Sequence, residues 1–156
     1  MALHMNAQRV GYISSEKILS AIPEYKAAQQ QLETLSESYQ KKIESEYSKI
    51  EQMYNSYQQQ KANMSMQARQ QKENEIIERE KTVKELQKSY FGQDGIMQKK
   101  SEELLGPVKE RVDAAIKKVA QGGNYMVLLD ISLMQGVAYA NENDDLSYLV
   151  IKALGY

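Results

Sequence analysis

In the stretch SEYSKIEQMYNSYQQQ, residues 45–60, Tyr47, Ile50, Tyr54 and Tyr57 recur at alternating steps of three and four. That is the seam of a coiled coil, in which one side of a helix faces a partner. The stripe begins earlier, at Leu32, Leu35, Tyr39 and Ile43. It predicts an unbroken helix from Glu24 to about Ala62, which between Ala27 and Asn63 is roughly 55 Å long at the helical rise per residue. A second line, Ile76, Val83, Tyr90, Met97 and Leu104, advances by sevens and continues through Val108, Val112, Ile116 and Val119. Between them ANMSMQ, residues 62–67, carries the capping types Asn63 and Ser65 where the stripe fades, which makes it the reversal point. The two helices form an antiparallel hairpin in which Tyr90 lies level with about Ser38–Tyr39.

The chain ends have a different pattern. RVGYIS, residues 9–14, reads as a strand running into the capping serines Ser14 and Ser15, and SEKILSAI as a brief helix stopped by Pro23. QGGN at 121–124 closes the second long helix, and Gly106-Pro107 should kink or interrupt it. YMVLLDI then reads as a strand, GVAYA as another, and NENDDLSYLVIKALG as a capped helix with Leu146, Leu149, Val150, Ala153 and Leu154 on one side. The fold class is α+β. A small β body from 9–23 and 120–156 carries a helical-hairpin arm, 24–119, with its tip near 62–67. So small a sheet has open edges, and self-association is the simplest way to cover them. The strands Val10–Ser14 and Tyr125–Ser132 would assemble the oligomer, with Tyr12, Ile13, Val127, Leu128 and Leu129 as the candidate core.

Composition removes several kinds of chemistry. The 156 residues include no cysteine and a single histidine, His4, inside MALHM, which reads as a cloning scar. No thiol nucleophile, imidazole base or Cys/His metal set is available, so no enzyme, catalytic residue, cofactor or metal site is expected. A formal net charge of −1 supplies no field for nucleic acid or an acidic membrane. No apolar run approaches the roughly 20 residues that span a bilayer. Asp130, with no histidine partner, suits a turn or cap at the strand end. Glu73, Glu75, Glu78 and Glu80 read as a solvated face. Asp94 in FGQDG lacks the Gly-Lys-Ser/Thr ending of a phosphate loop.

The segments AIPEYKAAQQQLE after the first strand, and GNYMVLLDI followed by VAYANENDDLSYLVIKALG, resemble the Skp (OmpH-like) family of periplasmic chaperones, from Arg9 onward. The resemblance implies a homotrimer with a β-barrel-like body and three helical arms around a cavity. There, unfolded outer-membrane proteins are held without ATP and without stable insertion into a membrane. It also implies a periplasmic location. A start such as NAQRVGYIS suits a chain whose signal peptide has been removed, with Ala7-Gln8 as the processing scar. The best-known members are strongly basic, whereas this sequence has a pI near 5.9, and its arm, Glu24 to Val119, holds 17 Lys/Arg and 16 Asp/Glu. Electrostatic capture of acidic clients and a basic lipopolysaccharide site are therefore not carried over to any residue.

Tyr39, Tyr47, Tyr54 and Tyr90 fit the seam of the hairpin. Met53, Tyr57, Met64 and Met66 lie toward the tip, where client contact and plain solvent exposure are both open readings. Tyr and Met pack softly, and a tyrosine ring with its polar tip tolerates water. Gly92 and Gly95 form either a hinge or a harmless irregularity. The expected function is an ATP-independent holdase, and the competing reading is a structural coiled-coil scaffold or spacer with one fixed partner. Prefoldin-like assemblies place their strands between two terminal helices, unlike the order here.

Overall fold

The computed structural model describes residues 9–156, so the scar and processing readings of residues 1–8 lie outside the described residues. Strand β1 (Arg9–Ile13) is followed by helix α1 (Ser15–Ser20) and the long helix α2 (Pro23–Gln60). Helices α3 (Met66–Phe91) and α4 (Ile96–Gly122), strand β2 (Tyr125–Asp130) and helix α5 (Ser147–Ala153) complete the order. The chain divides into two compact units, residues 9–29 with 103–156, and residues 30–102.

In the first unit β1 and β2 pair in parallel, with Val10 opposite Val127, Tyr12 opposite Leu129 and Ile13 opposite Asp130. Side chains alternate along a strand, so Gly11, Ile13 and Leu128 turn inward. They meet Ile18, Ile22, Val108, Val112, Leu146 and Val150 in one apolar core. Glycine stands at residue 11 because of a close approach: a Cβ there would lie 3.0 Å from Leu146 Cδ1 and from the Tyr125 ring. The Leu146 amide donates to the Tyr12 carbonyl at 2.8 Å, and the fully buried Ser147 hydroxyl accepts from the Ser14 amide at 2.8 Å. Ser14 in turn caps α1 through the Lys17 amide.

Asp130 caps the turn after β2, accepting from the Ser132 amide at 3.2 Å, and it also accepts from the Ser15 amide at 3.0 Å. Burial acts to raise its carboxyl, but the hydrogen bonds from Ser132 and Ser15 outweigh it and hold the group below the ordinary aspartate value. Asp145 behaves alike: burial raises it, but hydrogen bonds from Ser147 and from Lys17, whose ammonium lies 2.9 Å away, outweigh this and hold it below the ordinary value.

Two expectations for this unit are corrected. GVAYA is not a strand: residues 137–140 belong to no regular element, and Val137 and Tyr139 are exposed, because among the described residues no strand pairs with them. Nor does Pro107 interrupt α4, which runs through it. Pro107 is exposed, so water can serve the carbonyl one turn back that loses its donor.

In the second unit α2 and α3 form the hairpin, reversing over residues 61–65. Its buried seam is Ile43, Ile50 and Tyr57 from α2 and Ile76, Val83 and Tyr90 from α3, both advancing by sevens. Met53, Tyr39, Met64 and Leu86 pack beside it, and the Tyr39 and Tyr90 rings stack at 4.0 Å, as the level expected for Tyr90 requires. Tyr47 and Tyr54 do not belong to the seam. They are 39 % and 50 % exposed, each one position past a residue turned toward α3: Glu46 beside Tyr47 reaches Arg79 at 3.3 Å as well as Lys49 at 2.6 Å, and half-buried Met53 beside Tyr54 packs on the seam. The Lys49 hydrogen bond is the main cause holding the Glu46 carboxyl below its ordinary value.

The second long helix, expected to run to about Ala120 with a soft place at Gly92 and Gly95, is divided at residues 92–95. Asp94 has a left-handed backbone, φ 58°, and its amide donates to the Gln98 carboxamide at 3.0 Å. Gly92 N–H closes α3 on the Lys88 carbonyl, and Gly95 N–H bonds to the Gly92 carbonyl at 2.9 Å. A Cβ on Gly92 would press into the Lys88 carbonyl oxygen, and one on Gly95 would lie 2.8 Å from that of Gly92.

These contacts set three expected outcomes. Ile50→Ala should cost about 2–5 kcal/mol in chemical denaturation, and Tyr54→Ala about 0.5 kcal/mol or less; equal losses would return Tyr54 to the seam. Gly92→Ala with Gly95→Ala should lower the melting temperature, since the break excludes both methyl groups; an unchanged or higher value would mean that a continuous helix is equally accessible. The depressed Asp130 and Asp145 carboxyls add stability that is complete above about pH 4 and lost as pH falls through their lowered folded values. Asp130→Asn with Asp145→Asn should flatten that acid dependence of the melting temperature, and an unaltered slope would place the acid sensitivity elsewhere.

Candidate functional site

Two surfaces are candidates, one in each unit. On the sheet of the first unit, alternation puts Val10, Tyr12, Val127 and Leu129 on the side opposite the core. Val10, Val127 and Leu129 are exposed, and Tyr12 is half-buried. Ile13 and Leu128, expected in the same oligomeric core, instead face this chain's own interior. After β2, Leu133, Met134, Val137 and Tyr139 add exposed apolar side chains along an irregular segment. Exposed apolar side chains gathered on one sheet face mark an interaction site.

The second surface is the hairpin. Of the four tip residues singled out in the sequence, Tyr57 is 5 % exposed and belongs to the seam, which corrects the expectation that little surface remains to bury it. Its hydroxyl donates to the Glu73 carboxylate, which raises the hydroxyl's own pKa, with burial adding to the effect. Lys61 lies 5.4 Å from its ring centre and 4.0 Å from the same carboxylate. Met53 and Met64 are half-buried against this cluster and, with Tyr57 and Ile76, line a shallow groove whose rim includes Lys72 and Glu75. Only Met66 of the four is freely exposed. The tip is also closed by Ser65, which caps α3 through the Ala68 amide, and by Arg69 Nε, which donates to the Met64 carbonyl at 3.2 Å.

The exposed tyrosines of the hairpin are Tyr47 and Tyr54, which stripe counting alone sends to the seam. The signal that separates them is the match of two seven-residue lines, since only Ile43–Ile50–Tyr57 mirrors Ile76–Val83–Tyr90. At the opposite end of the hairpin, Gly92 and Gly95 flank a hydrogen-bonded break. Among the described residues no group of His, Cys, Asp and Glu side chains could hold a metal ion, and no helix is long and apolar enough to cross a membrane.

Comparison with known proteins agrees with this architecture. A solved structure of an OmpH-like protein from Caulobacter crescentus CB15 superposes with a TM-score of 0.71, covering 95 % of this chain and 84 % of that one at 18 % identity. That likeness concerns the fold. No curated protein matches the sequence. The family model described as "Outer membrane protein (OmpH-like)" matches residues 9–154, and on that match, spanning both strands, the hairpin and nearly all of α5, the chain belongs to the OmpH-like (Skp) family.

Proposed function

We propose that this chaperone, a member of a non-enzymatic family, acts as an ATP-independent holdase in the periplasm. It assembles as a homotrimer whose three hairpin arms surround unfolded outer-membrane proteins and keep them from aggregating. Residues 9–23 and 120–156 form the assembling body, and residues 24–119 the arm. The observation that carries this reading is the uncovered sheet face of Val10, Tyr12, Val127 and Leu129. Fully burying an aliphatic side chain of this size contributes about 1.5–3 kcal/mol, so covering the face in three copies offers a large return for association. The irregular segment at residues 135–139, with Val137 and Tyr139 exposed, supplies further surface and suits pairing with a strand edge of another copy. Cooperation of three arms lets each client contact stay weak while the whole hold is strong, and a weakly held client can be released without nucleotide.

Native mass spectrometry should find a trimer at micromolar concentration. Val127→Asp with Leu129→Asp should convert it to monomers that retain helical circular dichroism, because both residues lie outside the core. Light scattering of an unfolded outer-membrane porin should stay low in the presence of the parent and rise with the dissociated variant. A stable monomeric parent would remove the trimer and its cavity, and a parent without effect on scattering would favour a scaffold. With arms near charge balance, added salt should weaken client protection only slightly.

A further inference from the structure

The geometry points to the flank of the hairpin carrying Tyr47, Tyr54 and Ile77 as the surface that grips client segments combining apolar side chains with lysine or arginine. This rests on the proposed chaperone function. Tyr47 and Tyr54 are seven residues apart on α2 and therefore share one face. Each follows a seam isoleucine, Ile43 or Ile50, by four residues. In an antiparallel pair the positions four beyond the seam on both helices open onto the same side. On α3 that side carries Glu73 and Glu80, with Ile77, 57 % exposed, just outside them. Counted from the seam pairs, Tyr54 stands about level with Ile77.

The charges beside these rings have one dominant sign. The neighbours of Tyr47 and Tyr54 at three and four residues are Glu44 and Glu51, Gln58, and members of the seam. No lysine or arginine occupies any of those positions. Glu51 lies between the two rings, four after Tyr47 and three before Tyr54. On α3, Glu80 is countered by Lys81 and Lys84, and Glu73 is engaged by the Tyr57 hydroxyl. Lys41 stands three residues before Glu44, so Glu51, between the two rings and with no lysine or arginine three or four residues away, is the carboxylate that makes the tyrosine strip locally acidic, although the arm as a whole is near neutral. A tyrosine face accepts an aliphatic chain or a cation, and a carboxylate beside it favours the cation. An acidic segment meets repulsion on the same surface. The occupant that fits is an extended, apolar, basic stretch of an unfolded chain.

Two labelled unstructured peptides of equal length test this, both alternating leucine with serine, one carrying arginines and the other glutamates. Fluorescence polarisation with the full-length protein should give about tenfold tighter binding of the arginine peptide, the size expected for cation–π and carboxylate contacts acting together. Glu44→Gln with Glu51→Gln should erase the preference. Tyr47→Ser, Tyr54→Ser and Ile77→Ser together should weaken the arginine peptide about tenfold, with mass and helicity unchanged, since all three are exposed and outside the seam. Equal binding of the two peptides to the parent, or a triple variant binding like the parent, would overturn the assignment. A parent that keeps an unfolded porin from aggregating while the triple variant binds peptide unchanged leaves the chaperone reading standing and removes only this flank. A parent that fails to protect the porin removes both.

Discussion

The parallel pairing of β1 with β2 is the constraint from which the rest follows. Parallel neighbours cannot be joined by a tight turn and need a crossover connection. Here residues 14–124 make up that connection, so the whole hairpin is an excursion between two adjacent strands. A sheet of only two strands cannot hide both of its faces. One face closes on α1, α4 and α5 through Ile13, Ile18, Val112 and Val150, and the other keeps Val10, Val127 and Leu129. The same topology that makes a long arm possible therefore leaves an apolar surface that association can cover.

Much of this was legible in the residues because the periods are strong. The seven-residue line on the second helix, the reversal around Asn63–Ser65 and the β-branched and aromatic run at Arg9–Ile13 each have one dominant physical reading. The failures have equally specific causes. Tyr47 and Tyr54 satisfy the same three-four spacing as the true seam, and they separate from it only when the α2 line is matched to the seven-residue line of α3. GVAYA has strand composition, but a strand exists only where a partner supplies its hydrogen bonds. Pro107 and the Gly92–Gly95 pair were read by propensity alone. Their outcomes are opposite because exposure forgives a missing donor, while a left-handed Asp94 stops the helix outright.

The candidate site was less legible than the fold. Composition drew attention to tyrosine and methionine, yet which tyrosines face outward depends on the seam register, and one step of register exchanges the buried and exposed sets. Tyr57 moved inward and Tyr47 and Tyr54 moved outward on that single difference. The polar fastenings behave similarly. Ser147 is an ordinary residue in the sequence, and only the folded body shows that its hydroxyl is sealed inside, holding the Ser14 amide.

That buried serine has a bearing on the order in which the molecule can be made. Strand β1 is among the first described residues to emerge during synthesis, but its partner strand, the Leu146 amide and the Ser147 hydroxyl all arrive more than a hundred residues later. The hairpin has no such wait, since Tyr57 and Glu73 are close in sequence and can zip outward from the turn as soon as α3 appears. Contacts between neighbours in sequence form quickly, and distant pairings bear the cost of closing a long loop. The arm therefore matures ahead of the base, and for that interval β1 waits as an unpaired apolar strand. A member of a chaperone family thus passes through an exposed state of its own.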